Sequence, residues 1–78
     1  MPNVFIVDGF VFYFYSREHS PIHIHVEDAD AAIKIELETE VILVENKGMK
    51  PKQVKKAMKI AEERKAEIIA KWNAYFGK

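Results

Sequence analysis

The chain contains no cysteine, which excludes disulfide staples and thiolate metal sites and fits a reducing compartment. It has no apolar run near the roughly 18 residues that a membrane span needs. Residues 1–8 lack the basic flank and long apolar core of a signal peptide. The expectation is a cytoplasmic protein with no membrane partner. An excess of charge is missing too. Twelve basic residues cancel twelve acidic ones among 78, so no global field draws the chain to nucleic acid. Glycine and proline are scarce, at three each, and each therefore marks a boundary. A chain this short holds one core, hence a single domain over 1–78. Cores of that size are commonly supplemented by oligomerisation.

What is present begins with two runs rich in β-branched and aromatic residues, 3–7 and 10–15, joined by Asp8-Gly9. That dipeptide is a strong hairpin signal, because both turn positions need positive φ. A two-residue turn opposes Val7 to Phe10, Phe5 to Phe12 and Asn3 to Phe14, and the phenylalanines mark that face as core. Val4, Ile6, Val11, Tyr13 and Tyr15 fall on the other face, which is too apolar for ordinary solvation.

All three histidines lie in Arg17-Glu18-His19-Ser20-Pro21-Ile22-His23-Ile24-His25-Val26-Glu27. Beyond Pro21 the residues alternate with period two. One strand face then carries His23, His25 and Glu27, the other Ile22, Ile24 and Val26. Asp28-Ala29-Asp30 reads as a turn. In the following strand, 31–37, Ile33, Ile35 and Leu37 join the core side, and Lys34 and Glu36 join the histidines. Val41-Ile42-Leu43-Val44 reads as a fifth strand or a short helical turn, since four apolar residues in a row do not settle the period.

Gly48 and Pro51 punctuate a change to helix, with Pro51 at the first helical position and Met49 placed to staple onto Val54. Val54, Ala57, Met58, Ala61, Ile68, Ile69, Trp72 and Phe76 recur at helical spacing, and Gly77 is a natural stop. With no glycine or proline inside 52–76, one helix of roughly 38 Å is expected. It should outrun strands of about 20 Å and leave Trp72, Tyr75 and Phe76 at a free end. The fold class expected is α+β: an antiparallel sheet of four to five strands with one long C-terminal helix packed on one face.

The opening 1–5, the block Phe12-Tyr13-Phe14-Tyr15-Ser16-Arg17-Glu18-His19-Ser20-Pro21-Ile22-His23-Ile24-His25-Val26, Gly48-Met49-Lys50-Pro51-Lys52 and the ending 71–76 resemble a small bacterial family. It is known as domain-of-unknown-function family 4160. The resemblance covers nearly the whole chain. It implies a setting like that of toxin–antitoxin gene pairs, without supplying a mechanism. Where many members have a second proline, this chain has Ile22, an apolar exchange that leaves the histidine pattern intact.

Four constellations carry candidate chemistry. His19, His23 and His25, perhaps with Glu27, form a candidate divalent-metal site, because His-x-His on a strand aims two imidazoles one way. The bland alternative is hydrogen bonding that organises the loop. Arg17, His19, His23 and His25 with nearby tyrosines are candidates for metal-free RNA cleavage, with imidazoles as acid and base and Arg17 on the phosphorane charge. Lys47, Lys50, Lys52, Lys55, Lys56 and Lys59 form a basic run. It lacks an aromatic to stack a base, and a solvated helix face explains it better. Finally, Val4, Ile6, Val11, Tyr13 and Tyr15, or Trp72, Tyr75 and Phe76, are the expected interface. The preferred expectation is a partner-binding module that associates with a second copy or a small cognate protein. It takes no cofactor. The alternative is a small histidine-dependent ribonuclease or metal-binding enzyme built on His19, His23 and His25.

Overall fold

A computed structural model describes residues 3–15, 19 and 21–77. Among them, five strands form one antiparallel sheet in sequence order: β1 (Asn3–Val7), β2 (Phe10–Tyr13), β3 (His23–Asp28), β4 (Ala31–Glu36) and β5 (Ile42–Lys47). Two helices follow, α1 (Pro51–Glu63) and α2 (Lys65–Phe76). The class is α+β, as the alternation implies.

The hairpin closes where Asp8-Gly9 requires it, with φ of 52° and 84° and Val7 opposite Phe10. Phe5 opposes Phe12, as expected, but Asn3 opposes Tyr13 rather than Phe14. A register shift between Asn3 and Phe5 accounts for this. Such a bulge places two residues against one and reverses the side-chain alternation beyond it. Val4 therefore joins the core at 8 % exposure instead of the outer face. β2 ends at Tyr13, yet Phe14 remains fully buried.

β3 and β4 follow the alternation. Ile24 opposes Ile35, Val26 opposes Ile33, and all four are buried with Leu37. The ladder runs one step further, where the Leu37 N–H donates to the Ile22 carbonyl at 2.9 Å. The open alternative for 41–46 resolves as strand β5. It carries a shift of its own, where Lys34 opposes Glu45 and Ile35 opposes Leu43. Both edge strands are thus bulged, a device that discourages uncontrolled sheet extension.

After β5, Gly48 turns the chain with φ +94°. Asn46 braces that turn on both sides: its Oδ1 accepts from the Met49 N–H at 2.9 Å, and its Nδ2 donates to the Met49 carbonyl at 3.1 Å. Pro51 opens α1, and the Lys50 N–H donates to Gln53 Oε1 at 2.9 Å. Gln53 also donates to Asp28 Oδ2 at 2.8 Å, tying the helix start to the end of β3.

The single long helix is replaced by two, with Arg64 (φ −111°, ψ 21°) between them. No breaker residue is needed. The apolar stripe lapses between Ala61 and Ile68, where a straight helix would have to bury position 64 or 65, and these are Arg64 and Lys65. Both make use of the bend. The Arg64 guanidinium lies 4.7 Å from the Phe5 ring centroid, and Lys65 Nζ donates to the Thr39 carbonyl at 2.9 Å. The Arg64 N–H still donates to Ile60, and the Ile68 N–H to Arg64, so helical bonding carries across the bend.

Bent, α1 buries Ala57, Ile60 and Ala61, and α2 buries Ile68 and Trp72 on the same sheet face. Trp72 is therefore core, not a free end. It is 3 % exposed, with Phe14 at 5.3 Å and Phe76 at 4.5 Å between ring centroids. Phe76 packs against the same core, and of that trio only Tyr75, 48 % exposed, faces outward.

Candidate functional site

The helices cover one face of the sheet, and chemistry-bearing side chains collect on the other. The registers place Tyr13 (β2), His25 (β3), Lys34 (β4) and Glu45 (β5) directly opposite one another in a single row. Directly opposed residues have Cβ atoms about 4.5–5.5 Å apart, so each touches the next. A neighbouring row runs Ile6, Val11, Glu27, Ala32 and Lys47, and another pairs His23 with Glu36 and Ile42. The phenol, imidazole, ammonium and carboxylate share a face because β2, β3 and β4 keep strict alternation there, and the β5 bulge restores it for Glu45 and Lys47.

This row lines a recess of about 120 Å³, bounded by Tyr13, Tyr15, His25, Lys34, Glu45 and Lys47, with Ala32 and Ile33 completing the lining. The His25 ring is its hub. Tyr13 stacks on it at 5.4 Å, Tyr15 leans over it at 4.3 Å, and His23 meets it edge-on at 5.2 Å. Tyr13 is only 4 % exposed, outside the core cluster but against the Tyr15 and His25 rings. The expectation of Tyr13 as an outward anchor is corrected accordingly, whereas Tyr15 stays 45 % exposed at the rim. Lys47 Nζ lies 3.3 Å from Glu45 Oε2, a solvated pair that leaves the ammonium on the recess wall.

The three histidines have three different environments. His23 is 5 % exposed, and its Nδ1 lies 2.8 Å from the Pro21 carbonyl. A carbonyl only accepts, so Nδ1 carries a proton and donates to it. The ring sits 5.1 Å from Trp72, bridging the open face to the α2 side of the core. His25 is half-buried in the recess, and His19 is exposed. Among the described residues, no three histidine, aspartate or glutamate side chains come close enough together to hold a metal ion. The strand holds His23 and His25 together, 5.2 Å apart between ring centroids, and His19 lies outside that strand. Arg17 lies outside the described residues. The lysines of α1 remain a solvated face, with Lys56 Nζ 3.7 Å from Asp8 Oδ2.

Lys34 was placed on the histidine face by alternation alone. Glu45 was missed and Lys47 was read only as part of the basic run, since four apolar residues hid how far β5 continues into polar sequence. The signal for the tyrosines was present as Tyr13-x-Tyr15, the same period-two spacing as His23-x-His25.

A second opening, about 350 Å³ and mostly apolar, lies between the start of β1 and the end of α2, lined by Asn3, Val4, Phe14, Lys71, Ala74 and Tyr75. Its one charged group, Lys71, lies 3.5 Å from the Val4 carbonyl. Binding chemistry is denser at the His25 recess. No helix among the described residues is long and apolar enough to cross a membrane.

The family model described as "Domain of unknown function (DUF4160)" matches residues 9–73, a span that includes the recess and both helices up to Asn73. No curated protein and no solved structure matches significantly.

Proposed function

We propose that this chain, which belongs to the DUF4160 family, is a partner-binding module working in a toxin–antitoxin-like pair. The observation that carries the reading is β5. Ile42, Leu43 and Val44 are 42 %, 36 % and 43 % exposed, consecutive, and on an edge strand with no strand beyond it among the described residues. Wet apolar surface costs about 25 cal/mol per Å², and here it lies on both sides of the edge strand, with Ile42 beside Glu36 and Leu43 beside Ile35. Because β5 is bulged, burial of these side chains, rather than an extended ladder, supplies the association. A second copy or a small cognate protein fits this surface equally well in chemistry. Ile6, 63 % exposed on the opposite edge, and Tyr75 are further contact candidates.

Light scattering at micromolar concentration tests the reading, alone and with the product of the adjacent gene. The expected result is at least a dimer mass or a stoichiometric complex, lost in Val44→Lys. A monomer with no complex at high concentration overturns it.

The alternative reading, a small histidine-dependent ribonuclease or metal-binding enzyme, draws support from the recess, with one change of emphasis. His25, between two tyrosines and beside Lys34, is the histidine in position to exchange a proton with a bound ligand. His23 is committed to Pro21. Cleavage of an RNA oligonucleotide that is abolished in His25→Ala, with association intact, would favour that reading over the first.

A further inference from the structure

We propose that the His25 recess binds a single nucleotide unit, its phosphate inside the recess and its base stacked on Tyr15. The inference deepens the alternative reading but needs no catalysis. Size decides which part of a ligand enters. A recess of about 120 Å³ is well below the roughly 300–1,000 Å³ of pockets that engulf whole drug-sized molecules. It holds a few waters' volume, enough for a tetrahedral oxyanion and too little for a base beside it.

Charge decides which group that is. Among the described residues the wall presents two ammonium groups, Lys34 and Lys47, and the His25 imidazole, against one carboxylate, Glu45. Glu45 and Lys47 pair at 3.3 Å and offset each other, so Lys34 supplies the net positive charge beside His25. Hydrogen bonds from ionised donors to a phosphate are stronger than neutral ones, and lysine serves as a point charge there.

The rim decides the rest. Tyr15 is 45 % exposed, yet its ring is held by Tyr13 at 5.5 Å and His25 at 4.3 Å. A part-exposed aromatic ring held beside a positively charged recess is the arrangement that stacks a base while the backbone phosphate is held. The α1 lysines lack such a face, and the larger groove by Tyr75 has one ammonium only.

The test is a two-dimensional amide NMR titration of the full chain with cytidine 3′-monophosphate, cytidine and inorganic phosphate. The nucleotide should shift the amides of Tyr15, His25, Lys34 and Lys47 and bind at least severalfold more tightly than either component. Tyr15→Ala should weaken the nucleotide about tenfold, as loss of one stacked base does, and leave inorganic phosphate unchanged. Lys34→Gln should weaken both by about tenfold. Lys47→Gln on the exposed edge strand serves should Lys34→Gln not fold. Shifts confined to the α1 lysines, affinities for phosphate and nucleotide that are equal, or indifference to both Tyr15→Ala and the lysine variants would overturn the proposal. Binding without RNA cleavage leaves this site standing and removes the ribonuclease reading.

Discussion

The two faces of the sheet are written by the same period-two alternation and end in opposite states. On the covered face, Phe12, Ile24, Val26 and Ile35 are fully buried under α1 and α2. On the open face, Tyr13, His25, Lys34 and Glu45 occupy the same registers one residue out of step. Burial on the first face comes from helices brought across the sheet. On the second it comes from neighbouring side chains on the sheet itself, which shelter Tyr13 but leave a recess. The lesson is that a small domain with helices for only one side keeps its polar, titratable groups on the uncovered side. There, any binding site must be made from cross-strand rows.

Substitutions can sharpen that contrast. The largest effect belongs to the covered face: Phe12→Ala should cost about 3–5 kcal/mol in a urea titration. Tyr13→Ala should cost about 2 kcal/mol, because its ring is sheltered by two aromatic neighbours outside the core. Equal losses would mean that the open face is packed as tightly as the core. Next comes the pair of histidines. His23→Ala removes a buried ring and leaves the Pro21 carbonyl unpaired, at about 1–3 kcal/mol in thermal denaturation. His25→Ala should stay below about 1 kcal/mol, as expected for a half-buried side chain facing a recess. The reverse order would make His25 the structural histidine and remove it from the candidate site.

A smaller loss, about 1–2 kcal/mol, is expected for Asn46→Ala, which deletes both hydrogen bonds that brace the turn into α1. An unchanged melting temperature would mean that Gly48 and Pro51 suffice to form that turn. Smallest of all is Val44→Lys, within about 0.5 kcal/mol for the isolated chain, yet expected to abolish association. Loss of monomer stability instead would show that β5 belongs energetically to the core.

Much of this fold was legible in the residues. Asp8-Gly9 set the hairpin, since few dipeptides accept positive φ twice. The alternation in 22–27 and 31–37 set the β3–β4 register, because a slip of one residue would expose Ile24, Val26, Ile33 and Ile35 together. The histidine face and Lys34 came with that register. The candidate site was legible only in part. Glu45 and Lys47 reach it through β5, whose apolar start carries no period, and His19 shares a short segment with His23 without sharing its strand.

The sequence by itself determined the class, the turns and which residues alternate across β2, β3 and β4, because those depend on neighbours two to four positions away. Tertiary structure alone decided that Val4 turns inward at a bulge, that the helix bends at Arg64 and that Trp72 is buried. Each is a choice between two locally acceptable conformations. What selected among them was apolar area covered at a distance, Ile68 and Trp72 reaching Phe14 and the β1 bulge bringing Val4 to the same core. No local pattern in the chain encodes that gain.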